Sequence, residues 1–166
     1  MNELNYSPSL ISAIKSAKSL AIQDGQSTYG VSHLAIALLY EPTGLVEVLR
    51  SLSKDIEYIK EWFDVRREVY TSNPSNDNII IADEEVEKIF NEANFNKIRL
   101  GSDYIDAFLL FIAITKPGLV YSDQQIDGLN LSEKELLKHF GLRNNQKTVT
   151  LLNDLSDGDE VKEIIA

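Results

Sequence analysis

The stretch that decides the fold is SPSLISAIKSAKSLAIQDG, Ser7 to Gly25, read beside DEEVEKIFNEANFNKIRLG, Asp83 to Gly101. In the first, apolar residues fall at Leu10, Ile14, Ala17 and Ala21, and Ile11 and Leu20 widen the stripe. That spacing is the period of an amphipathic helix. Ser7 supplies an N-cap, Pro8 takes the first helical position where its missing N–H costs nothing, and Gly25 marks the stop. In the second stretch Val86, Ile89, Phe90 and Ala93 repeat the spacing and Gly101 ends it. A single ungapped shift of 76 positions, from Leu10 to Val86, lays one stretch on the other. It pairs Ile14 with Phe90, Ala17 with Ala93, Ile22 with Ile98 and Gly25 with Gly101, then runs on through Leu34/Leu110, Ile36/Ile112 and Ala37/Ala113. The matches fall on apolar and break positions while the polar positions differ, which is the mark of an internal duplication. Two such halves bury their apolar faces against each other about a pseudo-twofold axis, as stacked repeats must.

Working outward, each half holds four helices. After Gly25, the apolar run from His33 to Tyr40 is too long and too rich in Ala and Leu for a strand, and reads as a buried helix started by Ser32 and broken by Pro42 and Gly44. A short amphipathic piece, Leu45 to Leu52, precedes a helix opened by Asp55 with Ile56, Ile59 and Phe63 on one face. TSNPSNDN, residues 71–78, is dense in turn formers and reads as a linker. In the second half Asp106 caps a helix from Phe108 to Thr115, Pro117 and Gly118 break it, and a short segment runs to Leu129. LSEKELLKHF then carries the capping-box spacing at Ser132 and Glu135. The prediction is an all-α double repeat of about eight helices: repeat one over 4–70, linker 71–78, repeat two over 79–142. Residues 143–166, with a β-prone stretch from Thr148 to Leu152 and an acidic run from Asp154 to Glu163, read as a connector leading into something further.

With 166 residues and 43% hydrophobic content the chain can bury one respectable core. Acidic residues outnumber basic ones 26 to 16, a formal charge of −10, which argues against nucleic acid because phosphate binding needs clustered Lys and Arg. There is no cysteine, so disulfides, thiolate chemistry and Cys-ligated zinc are excluded. Neither a signal-like opening nor an apolar run of membrane-spanning length is present, so the expectation is a cytoplasmic protein without a membrane partner.

No catalytic or metal constellation emerges, and no cofactor is expected. The chain lacks a GxxxxGK[ST] loop for nucleotide. His33 heads a buried helix and reads as a structural histidine bonded to a neighbouring loop; His139, between Lys138 and Phe140, is expected in solvent. Asp83, Glu84, Glu85 and Glu87 cluster where a helix begins, and there they favour the helix dipole. Trp62 and Phe63 are expected to close the core of the first repeat.

With its duplicated order of Ser7-Pro8, Gly25 and Tyr29-Gly30-Val31-Ser32-His33-Leu34, then Gly101 and Tyr104-Ile105-Asp106-Ala107-Phe108-Leu109-Leu110, the sequence resembles the N-terminal domain family of Clp-type AAA+ unfoldases over roughly residues 4 to 142. The resemblance implies a non-catalytic docking domain that receives adaptor proteins or exposed substrate segments, in extended or helical form, in an apolar groove between the repeats. By the same resemblance such a domain would deliver them to a Clp-type ATPase ring. Carried over from the branch that works as a disaggregase, the groove residues are Ser7, Phe90, Phe108 and Leu109. In relatives that read phosphorylated arginine a glutamate stands in each repeat where this sequence has Ser32 and Phe108. An apolar partner is therefore expected in place of phosphoarginine. A stand-alone Clp-repeat adaptor, or the N domain of the ATPase that disassembles the type VI secretion sheath, are the alternatives the resemblance leaves.

Overall fold

The structure is a computed structural model that describes residues 5–70 and 79–141. The chain divides into two compact units, Met1–Glu133 and Lys134–Ala166. The first holds α1 (Pro8–Gln23), β1 (Thr28–Tyr29), α2 (Val31–Tyr40), α3 (Leu45–Ser51) and α4 (Ile56–Arg67), then β2 (Ile81–Ala82), α5 (Glu84–Leu100), α6 (Ala107–Ile114) and α7 (Asp123–Leu129). A further helical stretch, 133–141, begins directly after Ser132 and reaches the edge of the described residues. Within it His139, expected in solvent, is half-buried, and Phe140 is buried. The linker at 71–78 and the connector at 143–166 lie outside the described residues.

Local chemistry sets most of these boundaries. Ser7, Asp55, Asp83 and Asp106 each accept the backbone N–H three residues on, at Leu10, Tyr58, Val86 and Leu109. Gly25 and Gly101 take the left-handed conformation, φ 70° and 71°, that lets the chain turn back after α1 and α5. Two helices, α2 and α6, form the centre: every residue of α6, and all of α2 before Tyr40, is buried. α1 and α4 pack on α2, α5 packs on α6, and α2 meets α5 and α6 across the repeats. Trp62 and Phe63 do close the core of the first repeat, and they also reach beyond it. Trp62 lies edge-on to Tyr121 with centroids 5.0 Å apart, and Phe63 to Phe111 at 6.0 Å.

The expected stripe on α1 needs correction. Its buried residues are Leu10, Ala13, Ala17 and Ala21, so small alanines let α1 lie close on α2. Ile14 and Leu20 are only half-buried, and Ile11 is 45% exposed. The duplicated pair Ile22 and Ile98 is exposed in both repeats, at 51% and 70%. α2 also begins earlier than Ser32, with Gly30 as its cap.

Two short parallel pairings join the repeats. Tyr29 of β1 pairs with Ala82 of β2, and Tyr6 forms an isolated bridge with Ile105. The shift of 76 that takes Leu10 to Val86 also takes Tyr6 to Ala82, Ser7 to Asp83 and Tyr29 to Ile105. The residue before the cap of α1 therefore pairs with the residue before the cap of α6, and the residue before the cap of α5 with the residue before the cap of α2. The hydrogen bonds obey the same exchange: Ser7 N–H donates to the Ile105 carbonyl at 3.0 Å, and Asp83 N–H to the Tyr29 carbonyl at 3.1 Å. This reciprocal stitching is the pseudo-twofold axis that the duplication predicts.

Candidate functional site

Beside that axis the two repeats are not equally closed. On one side a hollow of about 400 Å³ opens among Ile14 and Lys18 of α1, Tyr29, and Ile80, Ile81 and Ala82, with Tyr6 and Glu87 at its edges. Ile80 is buried beneath it, whereas Ile81 is 61% exposed. Ile11, Ile14 and Lys18 share one face of α1 by their spacing of three and four residues. The surface thus mixes aliphatic side chains and two tyrosines with one cation and one carboxylate, and Lys18 makes no ion pair among the described residues. Burial, with Tyr6 and Asp83 adding to it, pushes the Tyr29 phenol up to about 12, so this wall stays neutral.

Across the axis larger side chains hold the equivalent positions. Phe90 stands where Ile14 does, and Tyr6 stands where Ala82 does. The Tyr6 ring covers Phe90 with centroids 5.5 Å apart, and Phe90 is wholly buried. A large residue over a large residue closes one side; alanine beside isoleucine leaves the other open.

Of the four residues expected to line a groove, Phe90, Phe108 and Leu109 are packed inside, the last two because α6 is surrounded on every face. Ser7 is half-buried, and its hydroxyl accepts from Leu10 N–H at 3.3 Å. The hollow is lined instead by the half-buried Ile14 and the exposed Lys18 and Ile81. Sequence reasoning placed Ile14 in the core stripe and did not single out Ile81, which lies in a two-residue strand with no period to detect.

His33 has the structural surroundings expected of it. Its Nδ1 accepts the Gly30 N–H at 3.0 Å, and its Nε2 lies 3.0 Å from Asp24, a carboxylate also held by Arg67 at 2.9 Å. Burial lowers its proton affinity more than Asp24 raises it. Tyr70 stacks on the imidazole at 5.2 Å. The adjacent Asp24 is the carboxylate that the sequence reading lacked, yet it is neutralised by Arg67, and both imidazole nitrogens are occupied in holding the start of α2. Among the described residues no group of His, Asp and Glu side chains is arranged to hold a metal, and no helix is long and apolar enough to cross a membrane.

The pattern that defines the Clp repeat (R) N-terminal domain matches residues 5–120. The chain belongs to this family. No curated protein matches it in sequence. Among solved structures, this Clp repeat domain is similar to a protein from a study titled as structural investigations of a malarial protein secretion system, at TM-score 0.71 and 17% identity, covering 84% of this chain and 94% of that one. It is similar to the N-terminal domain of the ClpV1 ATPase of the type VI secretion system of enteroaggregative E. coli, at TM-score 0.68 and 19% identity, covering 81% and 82%. A complex of the ClpV N-domain with a VipB peptide has the same fold, at TM-score 0.66 and 18% identity, covering 84% and 85%. The Clp repeat fold accordingly accounts for both the doubled four-helix unit and the seam on which the open hollow lies.

Proposed function

We propose that this Clp repeat domain docks apolar segments of other proteins at the open side of its seam and presents them to a Clp-type ATP-driven unfoldase. The observation that carries the reading is the hollow beside the seam, where Ile14, Ile80, Ile81 and Ala82 stand among Tyr6, Lys18, Tyr29 and Glu87, with Ile81 in solvent. Burying one such side chain against a partner gains roughly 1.5–3 kcal/mol, so a few contacts of this kind hold a segment reversibly. A relative of the same fold is seen with a peptide, which supports the same use here. In this reading Phe90, Phe108 and Leu109 shape the seam from beneath and Ser7 fixes the start of α1. No group in the hollow supplies a nucleophile paired with a base, so the domain holds its ligand without changing it. ClpV N domains among the solved relatives favour a type VI secretion ATPase as the machine served.

The test is binding of fluorescently labelled α-casein, an unfolded protein, to the full chain and to Ile81→Asp. Ile81 is exposed, so the variant keeps its helical circular dichroism and melting temperature. Binding should fall by an order of magnitude or more. Equal binding by both proteins, or none by either, refutes the reading.

A further inference from the structure

The peptide unit that joins Tyr29 to Gly30 is held at both ends by different partners. Its carbonyl accepts the Asp83 N–H across the seam at 3.1 Å, and its N–H donates to Nδ1 of His33 at 3.0 Å. A peptide unit is planar, so its two ends cannot turn independently. Nε2 of His33 lies 3.0 Å from the Asp24 carboxylate, an acceptor, so Nε2 carries the ring's proton and Nδ1 offers its lone pair to Gly30. A second proton has one place to go on the ring, and the Gly30 N–H already holds it.

The same stitch in repeat two lacks this device. The peptide unit from Ile105 to Asp106 also accepts across the seam, from the Ser7 N–H at 3.0 Å. Leu109 stands there in the place of His33, and its side chain offers neither a lone pair nor a proton.

We infer that His33 is a proton-operated latch: a second proton, on Nδ1, sets two N–H groups against each other, turns the Tyr29–Gly30 peptide and releases β1 from β2 on the open side of the seam alone. Tyr29 and Ala82, the residues paired there, both line the open hollow, so the latch governs its wall. Asp24 and Asp83 favour the charged ring, although Asp83 is itself engaged with the Val86 N–H at 2.8 Å. Arg67, bound to Asp24 at 2.9 Å and to Asp64 at 3.2 Å, opposes the charge. Tyr70 stacks on the ring, its phenol kept protonated by burial, and Glu85 stands beyond Asp83. Burial outweighs the carboxylates, so the latch is closed at neutral pH and opens in acid. The inference concerns the wall of the hollow and does not rest on what docks there.

The test is amide hydrogen exchange on the isotopically labelled 166-residue chain, compared between pH 7.5 and 5.5 with each rate corrected for its intrinsic pH dependence. Once the seam opens, the ring takes up its proton near the ordinary value of 6.5, so this fall in pH multiplies the opening by up to about tenfold. The Asp83 amide should gain that factor on the Ser7 amide, and the Gly30 amide should gain it too. In His33→Asn the ratio of Asp83 to Ser7 exchange should not depend on pH. Ring-nitrogen shifts of the parent chain give a readout that needs no variant: Nε2 should carry the proton at pH 7.5, and Nδ1 should gain one as Asp83 exchange rises. Equal acceleration at Ser7 and Asp83, an Asp83 amide that holds its rate down to pH 5.5, or a proton on Nδ1 at pH 7.5 would each overturn the inference.

Discussion

Tyr6 and Ala82 hold the same place in two copies of one unit, and they do opposite things. Tyr6 lays its ring over Phe90 and seals its side of the axis; Ala82 leaves Ile14 at the edge of an open hollow. The backbone around them is conserved between the copies down to the hydrogen bonds that Ser7 and Asp83 donate across the seam. Duplication therefore fixes the frame, and the size of a single side chain on each side decides whether the frame encloses a core or presents a surface. The starts of α2 and α6 make the same point by another route. Asp106 caps α6 by accepting the Leu109 N–H on its carboxylate, whereas Gly30 has no side chain to do so; at α2 the bond runs the other way, the Gly30 N–H donating to Nδ1 of His33, which stands where α6 has Leu109. Gly30 is required because a Cβ there would meet the Tyr70 hydroxyl at 2.5 Å and Asp83 at 3.0 Å.

The comparison breaks most visibly in stability. Phe90→Ala should cost about 3–5 kcal/mol, since it empties a sealed site, while Ile14→Ala should cost about 1 kcal/mol or less. Urea denaturation of both variants measures the gap; equal costs would mean the two sides are closed alike. Next in size is Gly30→Ala, at about 1–3 kcal/mol by overpacking. Most of that loss should vanish in a Tyr70→Ala background, as a double-mutant cycle would register. Asp106→Ala follows at about 1 kcal/mol, the ordinary cost of a lost N-cap.

Smaller still is a pH effect confined to repeat one. Burial holds His33 below its ordinary value of 6.5, so the unfolded chain binds its proton more readily than the folded one does. The stability this confers is whole above about pH 6.5 and is lost as pH falls below it. Asp24, Arg67, Asp83 and Tyr70 face the ring, and only Asp24 and Asp83 oppose the loss. Asp83 is itself held above the usual carboxylate range by burial, so its own titration acts with the opposite sign and at lower pH. Thermal melts between pH 7.5 and 5.5 should decline for the parent chain and run flatter for His33→Asn.

Much of this was legible in the residues. Ser7-Pro8, Asp55, Asp106, Gly25 and Gly101 place helix ends by local chemistry, and the shift from Leu10 to Val86 exposes the duplication without any structure. What escaped is what depends on partners distant in the chain. β1 and β2 are two residues each, too short for any period, and exist because the repeats meet. Ile11, Ile14 and Ile22 look like core on a helical stripe; Ile11 and Ile22 are exposed and Ile14 only half-buried, while Ala13, Ala17 and Ala21 are the buried residues of α1, which packs on α2. Phe90 and Leu109 looked like groove residues and lie in the core, since no sequence pattern tells that Tyr6 would cover one or that α6 would be packed all round.

The central claim is that one open side of a duplicated seam does the docking, and exchanging the two side chains tests it most directly. Ala82→Tyr gives the open side the residue that seals the other, and should abolish binding of labelled α-casein while circular dichroism and melting temperature stay at their parental values. Undiminished binding by a folded Ala82→Tyr chain would contradict the account.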